Sequence, residues 1–282
     1  MRANFTSVIT VLGSLWIGAY CPLGIAQSAD EVAKELANPN TALASLNFKS
    51  TFTSYQGDLS GADDESGFVT LFQPVLPFPL ENGDKIIFRP AIPLIGDQPV
   101  FDGASMNFDS ESGLGDSGFD LIYAITKGSV LSGIGLIGTV PTATDELLGK
   151  DKWSIGPEVF IGRLSKTSVV GALVGHQWDI AGDDDVVEDV SLTTINLFGV
   201  YLPGGGWNFG SSPIITHDSE IDQWTVPLNI NAGKTMVFGG RPWKFNLAVN
   251  YYVEQADPFG PDWSIDFQIT PVVENVFATW FK

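Results

Sequence analysis

The chain has 282 residues, 14 of them basic and 33 acidic, a net charge of -19, yet only 17% of its residues are charged. So acidic a chain lacks the Lys and Arg needed to displace counterions from phosphate, which excludes a nucleic-acid partner. Its 44% apolar and 12% aromatic content excludes disorder, and 31 Gly, 17 Pro, 8 Trp and 19 Phe favour strands and turns over helices.

Residues 1–26 have the anatomy of an export signal: Arg2 near the start, an apolar stretch from Val8 through Ile25, then Gly24-Ile25-Ala26. Cleavage is expected after Ala26, with Ala29 as the second choice; the competing reading, a membrane anchor, has a short apolar core against it. Cys21 is the chain's single cysteine, and Tyr20 before it is bulkier than a lipid-attachment site wants. The mature chain then contains no cysteine, which rules out disulfides, thiol catalysis and cysteine-ligated metal centres. No cofactor, metal site or catalytic set is expected. After the leader no apolar run is long enough for a spanning helix, leaving periplasm, medium or an outer-membrane barrel.

Residues 27–40 read as one short helix and linker. Ser28-Ala29-Asp30-Glu31 is a capping-box pattern ahead of Val32 to Ala37, and Asn38-Pro39 ends it. Its expected role is a simple lead-in to the barrel rather than a plug, because terminal segments are usually poorly tied down.

From residue 41 to 282 the period changes to two. Trp243, Phe245, Leu247, Val249, Tyr251 and Val253 share one face, against Lys244, Asn246, Ala248, Asn250, Tyr252 and Glu254 on the other. Trp263, Ile265, Phe267 and Ile269 stand likewise against Ser264, Asp266, Gln268 and Thr270. Such strands need an apolar medium on one side and water on the other. About twelve segments of membrane-crossing length follow: 43–55, 67–78, 85–95, 117–125, 130–140, 153–164, 169–180, 190–202, 207–217, 223–234, 242–255 and 262–273. Tight connections (127–129, 165–168, 203–206) alternate with long acidic ones (57–66, 96–116, 142–152, 181–189). Short turns on one rim and long loops on the other is the pattern of an all-β, transmembrane antiparallel barrel of outer-membrane type, with both termini in the periplasm.

A β-sandwich would also alternate, but would not need Trp153, Trp178, Trp207, Trp224, Trp243 and Trp263 at strand ends, where a membrane places interfacial aromatics. The acidic loops read as a solvated rim before they read as a cation site beside lipopolysaccharide. Asp183-Asp184-Asp185 lacks the spacing of a calcium loop. The Pro-rich stretches 73–79 and 89–93 are awkward in strands and mark bulges, kinks or strand ends, with a lateral opening in the wall as an alternative.

His217 and Ser219 are two apart and fall on one face of a strand, as a barrel lipid hydrolase would need, although no partnering Asn or Asp is identifiable. By strand parity Lys49, Arg89, Asp120, Glu158, Lys244, Glu254 and Asp266 project into the lumen, where they either pair as a plug or line a path. In a barrel of about twelve strands side chains fill much of the interior, so a narrow, partly closed channel is expected rather than an open porin.

Phe88-Arg89-Pro90-Ala91-Ile92-Pro93-Leu94, Gly138-Thr139-Val140-Pro141-Thr142, Gly175-His176-Gln177-Trp178, Gly240-Arg241-Pro242-Trp243-Lys244 and Tyr251-Tyr252-Val253-Glu254-Gln255 resemble the bacterial outer-membrane proteins of the MetA-pathway phenol-degradation family, whose relatives are often labelled neuromedin U. The resemblance runs over nearly all of the mature chain. It implies a barrel passing small, often aromatic or hydrophobic, compounds, and brings no catalytic residues with it. The expected function is passive uptake of such a solute, with outer-membrane lipid, lipopolysaccharide and the barrel assembly machinery as partners. A lipid hydrolase and a closed structural or surface-binding barrel are the alternatives. One departure from barrel habit is that the last clear strand closes near Val273, short of the final residues 274–282.

Overall fold

The computed structural model describes residues 28–182 and 189–281. The proposed export signal with Cys21, and the acidic run from Asp183 to Glu188, lie outside the described residues. One helix, α1 (Ala29–Ala37), precedes fourteen strand segments: β1 (Ala44–Gln56), β2 (Ser66–Pro79), β3 (Lys85–Asp102), β4 (Asn107–Leu114), β5 (Ser117–Lys127), β6 (Val130–Val140), β7 (Lys152–Leu164), β8 (Ser168–Gly182), β9 (Ser191–Gly204), β10 (Trp207–Ser211), β11 (Ile214–Asp218), β12 (Gln223–Phe238), β13 (Arg241–Glu254) and β14 (Gly260–Val273).

Each segment pairs antiparallel with its neighbours, and β1 pairs with both β2 and β14. β4 and β5 run one after the other along β3, and β10 and β11 along β9 and β12, so fourteen segments make twelve staves. The sheet closes into a twelve-stranded antiparallel barrel, with β1 paired to β14, and only the β3–β4 extension beyond the barrel keeps a free strand edge among the described residues. The second break falls at Ser212-Pro213, where proline cannot donate to the ladder. The expected continuous strand at 207–217 is therefore one stave in two pieces.

The alternation seen in the sequence explains the wall. Ile230 is 71% exposed, Ile180 66% and Ile161 65%, all on the outer face, while Asn229 and Phe160, next to two of them, are buried. Such a continuous apolar belt suits lipid, not water. Trp153, Trp178, Trp224 and Tyr251 are exposed near the long-loop rim, and Trp207 near the short-turn rim, as two aromatic girdles require. The Pro-rich stretches stay in register, with Phe72 opposite Ile92 and Leu76 opposite Phe88 on either side of Pro74 and Pro90.

One expected loop is different. Most of 96–116 continues the barrel as a β3–β4 hairpin, with Phe101 opposite Phe108 and Asp102 opposite Asn107. The hairpin reaches the other loops of that rim: Phe108 packs at a tilt against Phe259 at 4.6 Å between centroids, and Phe259 stacks on Tyr55 at 4.6 Å. Backbone bonds from Asp58 N–H to Asp257 O (2.9 Å) and Leu59 N–H to Pro258 O (3.0 Å) knit the flanking loops together. After β14 the chain makes one short helical turn, and Asn275 Nδ2 donates to Pro77 O at 2.7 Å, which anchors the terminal segment on β2.

Candidate functional site: a plugged lumen

The helix is more than a lead-in; it packs inside the short-turn end of the barrel and narrows it. Its capping box forms as the sequence predicts: Glu31 N–H donates to Ser28 Oγ (3.3 Å) and Ser28 N–H to Glu31 Oε2 (2.9 Å). Val32 is fully buried, and Ala33 packs with the inward-facing Leu131, Phe160, Val169 and Leu202. Burying a valine side chain contributes about 1.5–3 kcal/mol, so an otherwise marginal nine-residue helix is held by the wall.

Polar latches fix it as well. The Asp30 carboxylate accepts the Gly206 N–H in the β9–β10 turn. Gly206 has φ +76°, and a Cβ there would lie 2.3 Å from Thr235 O, so only glycine fits this close turn. After the helix, Asn40 Nδ2 donates to Ile125 O at 2.9 Å and Thr41 is buried. The sequence hid this plug because helical period says which face is apolar but not what covers it.

Above the plug lies a cavity of about 330 Å³, whose floor is residues 36–41. Its walls divide by chemistry. Ile87, Ile122, Phe160, Leu173, Phe198 and Val200 form an apolar side, and amides from β1, β10, β12, β13 and β14 face them. Those amides are interlocked: Asn47 Oδ1 accepts from Thr270 Oγ1 (2.8 Å) and Gln268 Nε2 (3.3 Å), and Asn208 Nδ2 donates to Asn246 Oδ1 (3.2 Å). Higher in the barrel, Asn229 Nδ2 donates to Asn250 Oδ1 (2.7 Å), and Asn250 Nδ2 to Ser264 Oγ (2.9 Å).

The seven charged residues predicted to face the lumen fall into different surroundings. Arg89 Nη2 lies 3.0 Å from Asp120 Oδ2, across the β3–β5 pair, but the ion pair leaves Arg89 Nε without a hydrogen-bond acceptor. Glu158 is 2% exposed and its Oε2 has no hydrogen-bond partner. Asp266 accepts from Thr51 Oγ1 (2.8 Å) and Asn250 Nδ2 (3.2 Å), a wall-to-wall link rather than a free charge. Lys49 sits between Leu71 and Gln268 in register, and Glu254 ends β13 as an exposed rim residue. Lys244 lines the cavity, and its side chain makes no hydrogen bond or ion pair among the described residues. Of the seven, only Arg89 and Lys244 line the cavity.

Sequence reasoning missed Lys152, whose side chain is fully buried near the other rim, 3.4 Å from Asp189 Oδ1 and 3.8 Å from Asp179 Oδ2. A lysine opening a strand beside an acidic loop gives no sign in sequence of being buried. The structure also supplies the acid that sequence could not find for the hydrolase alternative: Asp222 Oδ1 is 3.0 Å from His217 Nε2, and Ser219 Oγ is 3.4 Å from His217 Nδ1. Among the described residues the constellation's nearest backbone amides are already engaged. Ser219 N–H is spent on Ser191 O (2.8 Å) and Glu220 N–H on Asp218 Oδ1 (3.1 Å), so the nearest amides cannot receive a tetrahedral intermediate.

Solved structures share this architecture. The crystal structure of an outer membrane channel from Pseudomonas putida F1 superposes with a TM-score of 0.61 over 82% of this chain and 94% of that one, at 14% identity. The NanC porin superposes with a TM-score of 0.50 over 81% of this chain and 99% of that one, at 10% identity. The fold is that of outer-membrane channels. In sequence, no protein-family model and no curated protein matches the chain. The resemblance to the phenol-degradation family therefore stands on its short motifs, and the structural likeness supports it only at the level of an outer-membrane channel barrel.

Proposed function

We propose that the protein is a passive outer-membrane channel, its termini in the periplasm, that admits small molecules through a lumen restricted by its own N-terminal helix. The single observation that carries this reading is the amide-lined cavity enclosed by a lipid-facing barrel and floored by the end of the N-terminal helix and the linker after it rather than by the wall. A barrel serving only as a surface scaffold has no need of a polar interior space, since apolar side chains fill a small barrel at lower desolvation cost. The helix makes the passage narrow; displacement or partial unfolding of α1 widens it. No energy coupling is needed, and the solute moves down its gradient.

The solute class implied by the family resemblance, small and hydrophobic or aromatic, agrees with the apolar side of the cavity, formed in part by Phe160 and Phe198. Liposome flux tests the reading. Vesicles carrying the refolded protein should take up a small organic solute faster than protein-free vesicles. Equal rates with a folded, inserted barrel would leave the closed structural barrel as the account.

A further inference from the structure

The cavity's two faces and its charge together specify a ligand more narrowly than a channel reading requires. One side is mainly aliphatic and aromatic, with Arg89, Gln73 and Asn196 set among its apolar residues; the other is a ring of asparagine, glutamine and threonine side chains. The charged residues of its lining are Arg89 and Lys244, both cations. Asp120 lies behind Arg89 and pairs with it, and neither Asp120 nor Glu158 reaches the cavity surface. Lys244 stands on the polar side, opposite Thr235 on β12 and Thr270 on β14 in register. It has no anionic partner within ion-pair distance among the described residues. Beside it are further unspent groups: Asn208 Oδ1 and Thr235 Oγ1 are buried without hydrogen-bond partners.

A cation held inside a barrel without a counter-charge is costly, and a site that retains one has a use for it. We infer that the cavity binds an amphiphilic anion, a compact aliphatic or aromatic body carrying one carboxylate, with the body against Ile122, Phe160 and Phe198 and the carboxylate at the Lys244 ammonium. This rests on the channel reading for its location in the solute path and adds the chemical class. A neutral hydrocarbon would fill the apolar side but leave Lys244 desolvated and unpaired. An amphiphilic amine would put like charge beside it. The volume of about 330 Å³ stands at the small end of ligand pockets, which suits a short chain or a single ring rather than a full lipid.

The test is equilibrium dialysis of octanoate against the full-length mature protein in nanodiscs, with empty nanodiscs subtracted, and with n-octanol and n-octylammonium as matched neutral and cationic probes. Octanoate should bind at least about tenfold more tightly than either, the scale of one charge-assisted hydrogen bond. Lys244→Met should lose about that factor for octanoate while leaving octanol unchanged, and Lys244→Arg should restore octanoate binding. Heat-modifiable gel migration confirms that each variant is a folded barrel; should Lys244→Met not fold, the same comparison of three probes on the wild type and Lys244→Arg decides.

Octanoate binding no tighter than octanol, or binding indifferent to Lys244→Met, overturns the inference. Ion current measured on the same preparations separates the two readings. Current without charge-selective binding leaves the channel and removes the ligand class. Lys244-dependent octanoate binding without current or flux keeps the ligand class and removes the channel.

Discussion

Replacing Asp30 by alanine should loosen the plug without touching the barrel wall. The Asp30 carboxylate accepts the Gly206 N–H and lies in the first turn of α1, where negative charge also complements the helix dipole. Hydrogen bonds to a charged group contribute about 1.5–3 kcal/mol, which corresponds to roughly ten- to hundredfold in the equilibrium between docked and released helix. Amide hydrogen exchange across residues 29–37 in nanodiscs reads that equilibrium directly, since exchange there requires the helix to leave the wall or unfold. Protection in Asp30→Ala should fall by that factor while the strands of the wall keep theirs. Ser28→Ala, which removes only the cap, should cost about 1 kcal/mol, or roughly fivefold. Protection of α1 unchanged in Asp30→Ala would refute the claim that the turn at Gly206 holds the plug.

Three further perturbations probe the wall and the lumen. Asp120→Asn should lower stability by about 3–5 kcal/mol by stranding Arg89; an unfolding midpoint unchanged from the wild type contradicts this pairing. Ile230→Arg, at an outer-face position 71% exposed near the middle of β12, should cost about 2–4 kcal/mol in a bilayer, and a cost near zero would mean that this face does not meet lipid. Gly156→Ala should abolish or strongly impair assembly, since a Cβ there would come within 1.8 Å of His176 O, while Gly128→Ala at an open turn with φ +62° should still assemble; heat-modifiable migration of both variants checks the contrast.

The barrel was legible because lipid and water impose period two on a strand and length on a stave. The expected strands match β6 at both ends, 130–140, and miss others by a few residues at their rims. Strand pairing brings Arg89 and Asp120, distant in sequence but opposite in register, together across β3 and β5. Three features were not legible. The role of α1 depends on apolar residues from β6, β7, β8 and β9 converging inside one mouth, a tertiary fact with no local signature. The β3–β4 hairpin is rich in Asp, Ser and Gly, and so reads as loop, but the sheet it extends supplies the hydrogen bonds. Asp222 escaped notice as a partner for His217 because the β11–β12 turn, with Asp222 at φ +51°, folds it back.

The account turns on a lumen that conducts and a helix that restricts it. Planar-bilayer recording of the mature protein beside a variant lacking residues 27–41, both verified as heat-modifiable barrels, addresses that claim most directly. A small current in the full-length protein and a clearly larger one in the shortened variant is the expected result. A folded barrel that passes no current even without its helix would contradict the account and identify the interior as sealed.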